Sequence, residues 1–400
     1  FMSQGSSIHW EEGHQTCSAV WHSENGIAAH KKVVIADDTL TADDAYRLAC
    51  EGTAILWRGD FQNARQLLQA LVRRIDKPSK KSKRAGKRLG KSGEPVIQKS
   101  AKDIFNQHRL IQSQRARILG MLLIQCNADH TISLRRAPDI SQACIEAYGT
   151  VTQSYVVSLR ELLGVVSAHE WRKNGLPILA DENGEPIYVH PHYGVFSPVR
   201  GEYIELVCSA PLPKSLNGAS TAFDIGVGTG VLSIILAMRD VQKIVATDQD
   251  DRALQCAKEN IALLGLASQV EIMKANLFPI GKASLIVCNP PWVPARPSST
   301  LEHAVYDPES QMLKGFLAGL KDHLSPEGEA WLILSDLAEH LELRSRQELL
   351  SWIEDAGLAV LDRIDTKPKH PKAFDSSDSL HFARAAETTS LWRLHIHQKY

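Results

Sequence analysis

The sequence predicts a doubly wound α/β domain in its second half, preceded by a mainly helical region and a hairpin. Three observations carry this. From Thr221 onward, short apolar runs alternate with amphipathic stretches. A glycine-rich turn stands at the first strand-to-helix junction of that series. Before residue 175, apolar residues recur mostly at three-four spacing, the period of a helix.

The elements follow in order. Ala222-Phe223-Asp224 ends a strand, and 231–238 reads as its following helix. Strand 243–247 leads to helix 251–264, and strands 270–274 and 284–288 come next. Helix 313–323, strand 329–334, helix 343–356 and strands 358–365 and 391–397 complete a mostly parallel seven-stranded sheet. Upstream, Thr41 reads as an N-cap, with Asp43 and Asp44 in the first helical turn. Ala64, Leu67, Leu68, Leu71, Val72 and Ile75 mark an amphipathic helix. Segments 103–125 and 139–148 also read as helices. Asp181-Glu182-Asn183-Gly184 is a turn, with an extended 186–189 after it. The expected organisation is a mainly helical region over 1–165, a hairpin linker over 166–215 and an α/β domain over 216–400.

Bulk properties narrow the function classes. The chain has 400 residues, enough for two domains. Its formal net charge is −1, so nucleic-acid binding is not announced globally. Locally, Lys77, Lys80, Lys81, Lys83, Arg84, Lys87, Arg88 and Lys91 crowd among Ser, Gly and Pro. Such a segment cannot bury a core, so 77–93 is expected to be a disordered basic loop. It reads equally as an electrostatic tether for RNA, DNA or the ribosome and as a solvated linker. No apolar run approaches the roughly 18 residues of a membrane span, and no signal peptide is read. The seven scattered cysteines lack any C-x-x-C spacing and suit reduced thiols, hence a cytoplasmic expectation. His9, His14, Cys17 and His22 do not match a zinc spacing, so no metal site is expected.

The chemistry concentrates at four strand ends. Asp224-Ile225-Gly226-Val227-Gly228-Thr229-Gly230 lies between a strand and a helix. Its glycines allow positive φ and close backbone approach to a ligand, and the helix N-terminus behind them favours an anionic group. A dinucleotide loop would read G-x-G-x-x-G, but Val231 holds that third glycine position. The loop therefore favours a cofactor with an amino-acid end over a pyrophosphate. Asp248, followed by Gln249, ends the second strand, where a carboxylate can accept ribose hydroxyls. Asn276-Leu277 follows the third strand, where an adenine amino group would be read.

Asn289-Pro290-Pro291-Trp292 follows the fourth strand. A conjugated NH₂ is a poor nucleophile because its lone pair is delocalised. Acceptors that hold its hydrogens in pyramidal geometry favour the reacting form. The Asn289 side-chain oxygen and the Pro290 carbonyl can be those acceptors. The two prolines make the site rigid, and Trp292 offers a face for a planar group. A sulfonium methyl is already activated, so catalysis is mostly positioning.

These residues resemble class I S-adenosylmethionine-dependent methyltransferases, in particular the protein N5-glutamine methyltransferases that modify translation release factors or a ribosomal protein. The likeness runs over about 190–345, under half of the chain. Asp224-x-Gly226-x-Gly228-Thr229-Gly230 is similar to the family's cofactor loop, and Asp248 with Ala253-Leu254 and Asn260 to its second strand and helix. The family's Asn-Pro-Pro-Tyr stands as Asn289-Pro290-Pro291-Trp292. Val305-Tyr306-Asp307-Pro308 resembles its Glu-Pro element, and Arg200-x-Glu202 with Leu206-Val207 its Arg-Pro lead-in.

The resemblance implies S-adenosyl-L-methionine as cofactor and a helical N-terminal region that reads the substrate. It implies cofactor contacts from Asp224, Gly226, Gly228, Gly230, Asp248, Gln249, Asn276, Leu277 and Asn289. It implies catalysis at Asn289, Pro290, Pro291 and Trp292, and substrate contacts from Trp292, Arg200 and Tyr306. Trp292 stands for tyrosine, Asn276 for aspartate, Asp307 for glutamate and Tyr203-Ile204 for Thr-Glu.

The expected reaction is methylation of a glutamine amide in a translation-related protein. The alternative is an RNA or DNA exocyclic amine of the adenine N6 type, since both acceptors are planar NH₂ groups. A non-catalytic cofactor-binding protein is disfavoured by Asn289, and a dehydrogenase by the glycine spacing. Lys367-Pro368-Lys369-His370-Pro371-Lys372 reads as a substrate contact or a solvated turn.

Overall fold

A computed structural model describes residues 6–76, 99–198, 201–217, 220–298, 301–369 and 371–397. The basic run Lys77–Lys91, Arg200 and His370 lie outside the described residues. The chain divides into two units, Phe1–His169 and Glu170–Tyr400. The sequence reading sets this boundary at 165/166.

The first unit corrects the expectation of a mainly helical region. It is built on a six-stranded mixed sheet, β1 (Ser7–Glu12), β2 (Gln15–Trp21), β3 (Val33–Ala36), β4 (Ala54–Trp57), β5 (Leu122–Cys126) and β6 (Tyr155–Ser158). The order is β1-β2-β6-β5-β4-β3. Helices α1 (Ala42–Cys50), α2 (Phe61–Ile75), α3 (Ala101–Leu119), α4 (Ser141–Tyr148) and α5 (Leu159–Asn174) accompany it.

The strands escape a sequence reading because they are short and buried. Ala54-Ile55-Leu56-Trp57 is buried at every position, so it shows a continuous apolar run with no period. The expected helix over 103–125 ends at Leu119, and its last residues enter β5 instead. In 1–35, Ile8 and Trp10 point inward on alternating positions of β1, and Gly13 and His14 turn the chain at φ 58° and 65°. The Thr41 cap of α1 is as expected, its side chain accepting the Asp44 N–H.

The second unit opens with the expected hairpin, β7 (Leu176–Ala180) and β8 (Pro186–Val189). It is no free-standing linker. Leu176 and Val189 are buried in the same cluster as Val231, Ile234 and Leu285. After α6 (Glu202–Ser209), the chain alternates as predicted through β9 (Ala222–Ile225), α7 (Val231–Met238), β10 (Ile244–Asp248), α8 (Asp251–Leu263), β11 (Val270–Lys274) and β12 (Ala283–Cys288). Then come α9 (Gln311–His323), β13 (Leu324–Ser335), α10 (Leu337–His340), α11 (Arg346–Asp355), β14 (Leu358–Thr366), α12 (His381–Ala386) and β15 (Thr389–Ile396).

The seven strands order as β11-β10-β9-β12-β13-β15-β14, with β15 antiparallel to both neighbours and the other pairs parallel. The central strands β9 and β12 are buried throughout because helices cover both faces. One apolar cluster holds α7 residues such as Ile234 and Leu236; the other holds Phe316, Leu317 and Leu320 of α9. Parallel neighbours align their carboxyl ends, so the segments after β9, β10, β11 and β12 meet along one edge.

Candidate active site

The glycine loop leaves β9 with all three glycines at positive φ: 81° at Gly226, 52° at Gly228 and 89° at Gly230. A side chain at Gly226 would place its Cβ 3.2 Å from the Met312 methyl carbon, whereas Gly228 faces open space. The loop is tied to the next strand, the Gly226 and Val227 N–H groups donating to the Thr247 carbonyl at 2.9 and 2.8 Å.

Asp224, at 0% exposure, sits beneath this loop. Its Oδ2 accepts the Ser233 hydroxyl at 2.6 Å, while Oδ1 has no partner. Burial pushes its carboxyl up to about 6, against the Ser233 hydrogen bonds that lower it. A buried oxygen of this kind suits a cationic donor. The ammonium of an amino-acid-bearing cofactor supplies one, so the residues present fit S-adenosylmethionine.

Asp248 terminates β10, and its carboxylate is already engaged. Oδ2 accepts the Gly228 N–H at 3.1 Å; Oδ1 accepts the Gln249 and Asp250 N–H groups at 2.8 and 3.0 Å. Burial raises its pKa, opposed by those backbone bonds. A carboxylate offers about four lone-pair sites, so one remains for a ribose hydroxyl. Gln249 and Asn276 come together, the Gln249 amide donating to Asn276 Oδ1 at 2.7 Å. Leu277 takes φ 67°, and its carbonyl accepts the Thr247 hydroxyl. That contact fixes the post-β11 loop against the end of β10.

Asn289, Pro290, Pro291 and Trp292 leave the carboxyl end of β12, half-buried except for the buried Pro290. The Trp292 indole N–H donates to Asn289 Oδ1 at 2.9 Å. The oxygen expected to hold the substrate amine is therefore shared with a neighbouring ring. Downstream, Val293 forms a parallel bridge with Tyr306: its N–H donates to the Val305 carbonyl at 3.1 Å, and its carbonyl accepts the Asp307 N–H at 2.9 Å. Tyr306 thus lies beside the loop.

Asp307 bonds to the start of the next helix. Its two oxygens accept the Met312 and Leu313 N–H groups at 3.0 and 3.1 Å, capping α9 from a buried position.

Sequence reasoning gave no structural role to one hub, Asn260. It is buried on α8, with Nδ2 donating to the Thr229 carbonyl at 3.0 Å and Oδ1 accepting the His190 N–H at 2.8 Å. It joins the glycine loop to the segment after β8. The available signal was an amide set between Ala257 and Ile261 on the apolar side of a helix. Of the 367–372 segment, Lys367 and Lys369 bond internally: Lys367 donates to the Thr388 hydroxyl at 2.8 Å, and Lys369 pairs with Glu205. The Lys369 backbone N–H also meets the buried Glu202 at 2.8 Å. Among the described residues, no group of three or more His, Cys, Asp or Glu is placed to hold a metal ion, and no helix is long and apolar enough to cross a membrane.

A seven-stranded sheet with one reversed strand, a glycine loop after β9, an acid after β10 and Asn-Pro-Pro after β12 define the second unit as a class I S-adenosylmethionine-dependent methyltransferase domain. Within it, residues 187–345 match the family model described as Methyltransferase small domain. A ribosomal protein L11 methyltransferase of Alkaliphilus metalliredigens (strain QYMF) is 29% identical over 140 residues, 30% of this chain and 43% of that protein. A tRNA1(Val) (adenine(37)-N6)-methyltransferase of Shewanella sp. (strain W3-18-1) is 30% identical over 152 residues, 35% of this chain and 63% of that protein. The crystal structure of a ribosomal protein L11 methylase from Lactobacillus delbrueckii subsp. bulgaricus aligns with a TM-score of 0.33 at 18% identity, covering 48% of this chain and 76% of that one. The chain spans less than two thirds of the length of these two curated relatives.

Proposed function

We propose that this protein transfers a methyl group from S-adenosylmethionine to a planar conjugated NH₂ nitrogen, and that the acceptor is the exocyclic amine of an RNA base, of the adenine N6 type. The observation that carries the reading is Asn289-Pro290-Pro291-Trp292 at the carboxyl end of β12, one strand from the glycine loop after β9. In this reading Asp224, Gly226, Gly228 and Gly230 take the amino-acid end of the cofactor. Asp248 and Gln249 take its ribose, and Asn276 and Leu277 its adenine. The bound cofactor supplies an activated sulfonium methyl. Asn289 Oδ1 and the Pro290 carbonyl accept the amine hydrogens and aim the nitrogen lone pair. Trp292 gives the acceptor ring a flat neighbour.

Two considerations favour a base over a glutamine amide. Asp307, in the position of the Glu-Pro element, is consumed as the cap of α9. A relative named for tRNA adenine methylation is also matched, at 30% identity over 152 residues. A glutamine amide in a ribosomal or other translation-related protein is the second reading; the relative named for ribosomal protein L11 supports its ribosomal-protein acceptor.

Labelled methyl transfer from S-adenosylmethionine into a cell extract separates the two. Label removed by ribonuclease and retained after protease supports the base. Label removed by protease and retained after ribonuclease overturns it in favour of the amide.

A further inference from the structure

The first unit holds a charged group outside the methyl-transfer chemistry. Trp57-Arg58-Gly59-Asp60 leads from β4 into α2. The Asp60 side chain is fully buried and caps α2, Oδ1 accepting the Gln62 N–H at 2.9 Å. Its Oδ2 accepts Nε–H from both Arg135 and Arg136, at 2.8 and 2.6 Å. Hydrogen bonding from Arg136 leads in holding that carboxyl down to about 2.

These arginines are the middle residues of a tight turn closed by the Ala137 N–H on the Leu134 carbonyl at 3.3 Å. Arg136 holds φ 54°, a left-handed conformation uncommon for residues with a side chain. The turn is fastened to α2 twice more. The Phe61 N–H donates to the Arg135 carbonyl at 2.9 Å, and the Gln62 amide to the Arg136 carbonyl at 3.3 Å.

One arginine would neutralise Asp60. Two are present, and both keep most of their surface in solvent, 73% and 58% of their side chains. Each commits its Nε inward; Arg135 keeps its Nη end outward, while Arg136 Nη2 also donates to Asn63 Oδ1 at 3.5 Å and leaves Nη1 as its outward part. Arg65 is exposed one turn along α2, its Nη1 on the Gln62 side chain at 3.1 Å. Asp38 completes the neighbourhood, accepting the Asp60 N–H and the Asn63 amide. Three guanidinium groups against two carboxylates leave one net positive charge.

We propose that Arg135 and Arg136, with Arg65, form a phosphodiester-binding surface through which the first unit docks RNA. Two guanidinium forks fixed on adjacent residues suit a group with two unesterified oxygens that stays charged at every working pH. Backbone contacts of this kind position a nucleic acid without reading its sequence, so a rigid turn is adequate for them. The proposal does not depend on the methylation reading, because it is tested by binding alone.

The test uses the full-length protein and a fluorescein-labelled oligo(A) RNA of about 20 nucleotides, followed by anisotropy across a salt series. Arg135→Ala leaves Arg136 on Asp60, and Arg65→Ala disturbs no buried group, so both variants keep the fold, checked by an unchanged melting temperature. The expected result is several-fold weaker binding at low salt for each. The slope of log K against log salt should also be shallower by about 0.7 for each phosphate that is no longer neutralised. Affinity and slope unchanged in both variants overturn the proposal. A polyglutamate probe weakened by the variants while the RNA is unaffected overturns it too, and assigns the surface to an acidic protein.

Discussion

The Trp292 indole nitrogen lies 2.9 Å from the Asn289 side-chain oxygen, so the residue proposed to stack and the residue proposed to accept are one hydrogen-bonded pair. The bond fixes which end of the Asn289 amide meets the indole and leaves its oxygen one lone pair for another donor. Trp292→Phe keeps a flat ring and removes the donor. Its expected cost is about 1 kcal/mol in kcat/KM, the scale of one neutral hydrogen bond, with unchanged affinity for S-adenosylmethionine. Asn289→Ala removes the acceptor itself, and kcat should fall by roughly 10² or more. Steady-state kinetics with calorimetry of cofactor binding reads both. Equal activity in Trp292→Phe would show that the hydrogen bond does not orient Asn289.

Asp224 makes the apo domain pH-dependent. Its folded pKa, about 6, lies above its ordinary 3.8. Below about pH 4 both states are protonated and the carboxyl costs nothing. As pH rises from about 4 to 6, the unfolded chain ionises first and the native state loses relative stability. Two pK units correspond to about 3 kcal/mol, present in full above pH 6. Asp224→Asn should therefore raise the apo melting temperature at pH 8, have little effect near pH 4, and weaken cofactor binding. Thermal scans at the two pH values check the sign. A variant less stable than wild type at pH 8 would falsify the account.

The glycine loop separates backbone strain from ligand clearance. Gly228→Ala meets no neighbouring atom, yet its φ of 52° costs a residue with a Cβ about 1 kcal/mol. Stability should drop by that modest amount. Cofactor affinity should fall far more, because in the proposed reading the new methyl group stands where the ligand approaches. Urea melts beside cofactor titrations distinguish the two effects. Decreases of similar size would mean that the ligand does not approach Gly228.

Asn260 is expected to matter for stability first. Asn260→Ala strands the Thr229 carbonyl and the His190 N–H inside the protein, a penalty of about 2–3 kcal/mol for two buried polar groups. A chemical melt measures it. A shift under about 0.5 kcal/mol would mean that water replaces both bonds.

Asp307→Ala tests the cap of α9. The α9 N-terminus should be destabilised by about 1–2 kcal/mol, and hydrogen exchange at Met312 and Leu313 should quicken. Protection unchanged at both amides would leave Asp307 free to meet substrate instead.

Much of the second unit was legible because its signals are local. The glycines of 226–230 require a turn wherever they stand, and the βα alternation from Ala222 to Leu263 follows from apolar spacing within each element. The first unit was not legible for the opposite reason. β3, β4 and β6 are four residues long, too short to show a period, and what makes them strands is pairing with partners distant in sequence.

The sequence by itself determined the strand ends to which the proposed chemistry is assigned, because Asp224, Asp248 and Asn289 each follow a run of residues that must be buried. Only the tertiary structure decided how those ends share their hydrogen bonds. Asp248 spends three acceptor sites on backbone, Asp224 keeps one oxygen bare, Asp307 turns to a helix, and Trp292 takes a lone pair of Asn289. A side chain's residue type sets what it can bond to; the parallel order β10-β9-β12 brings these partners within reach.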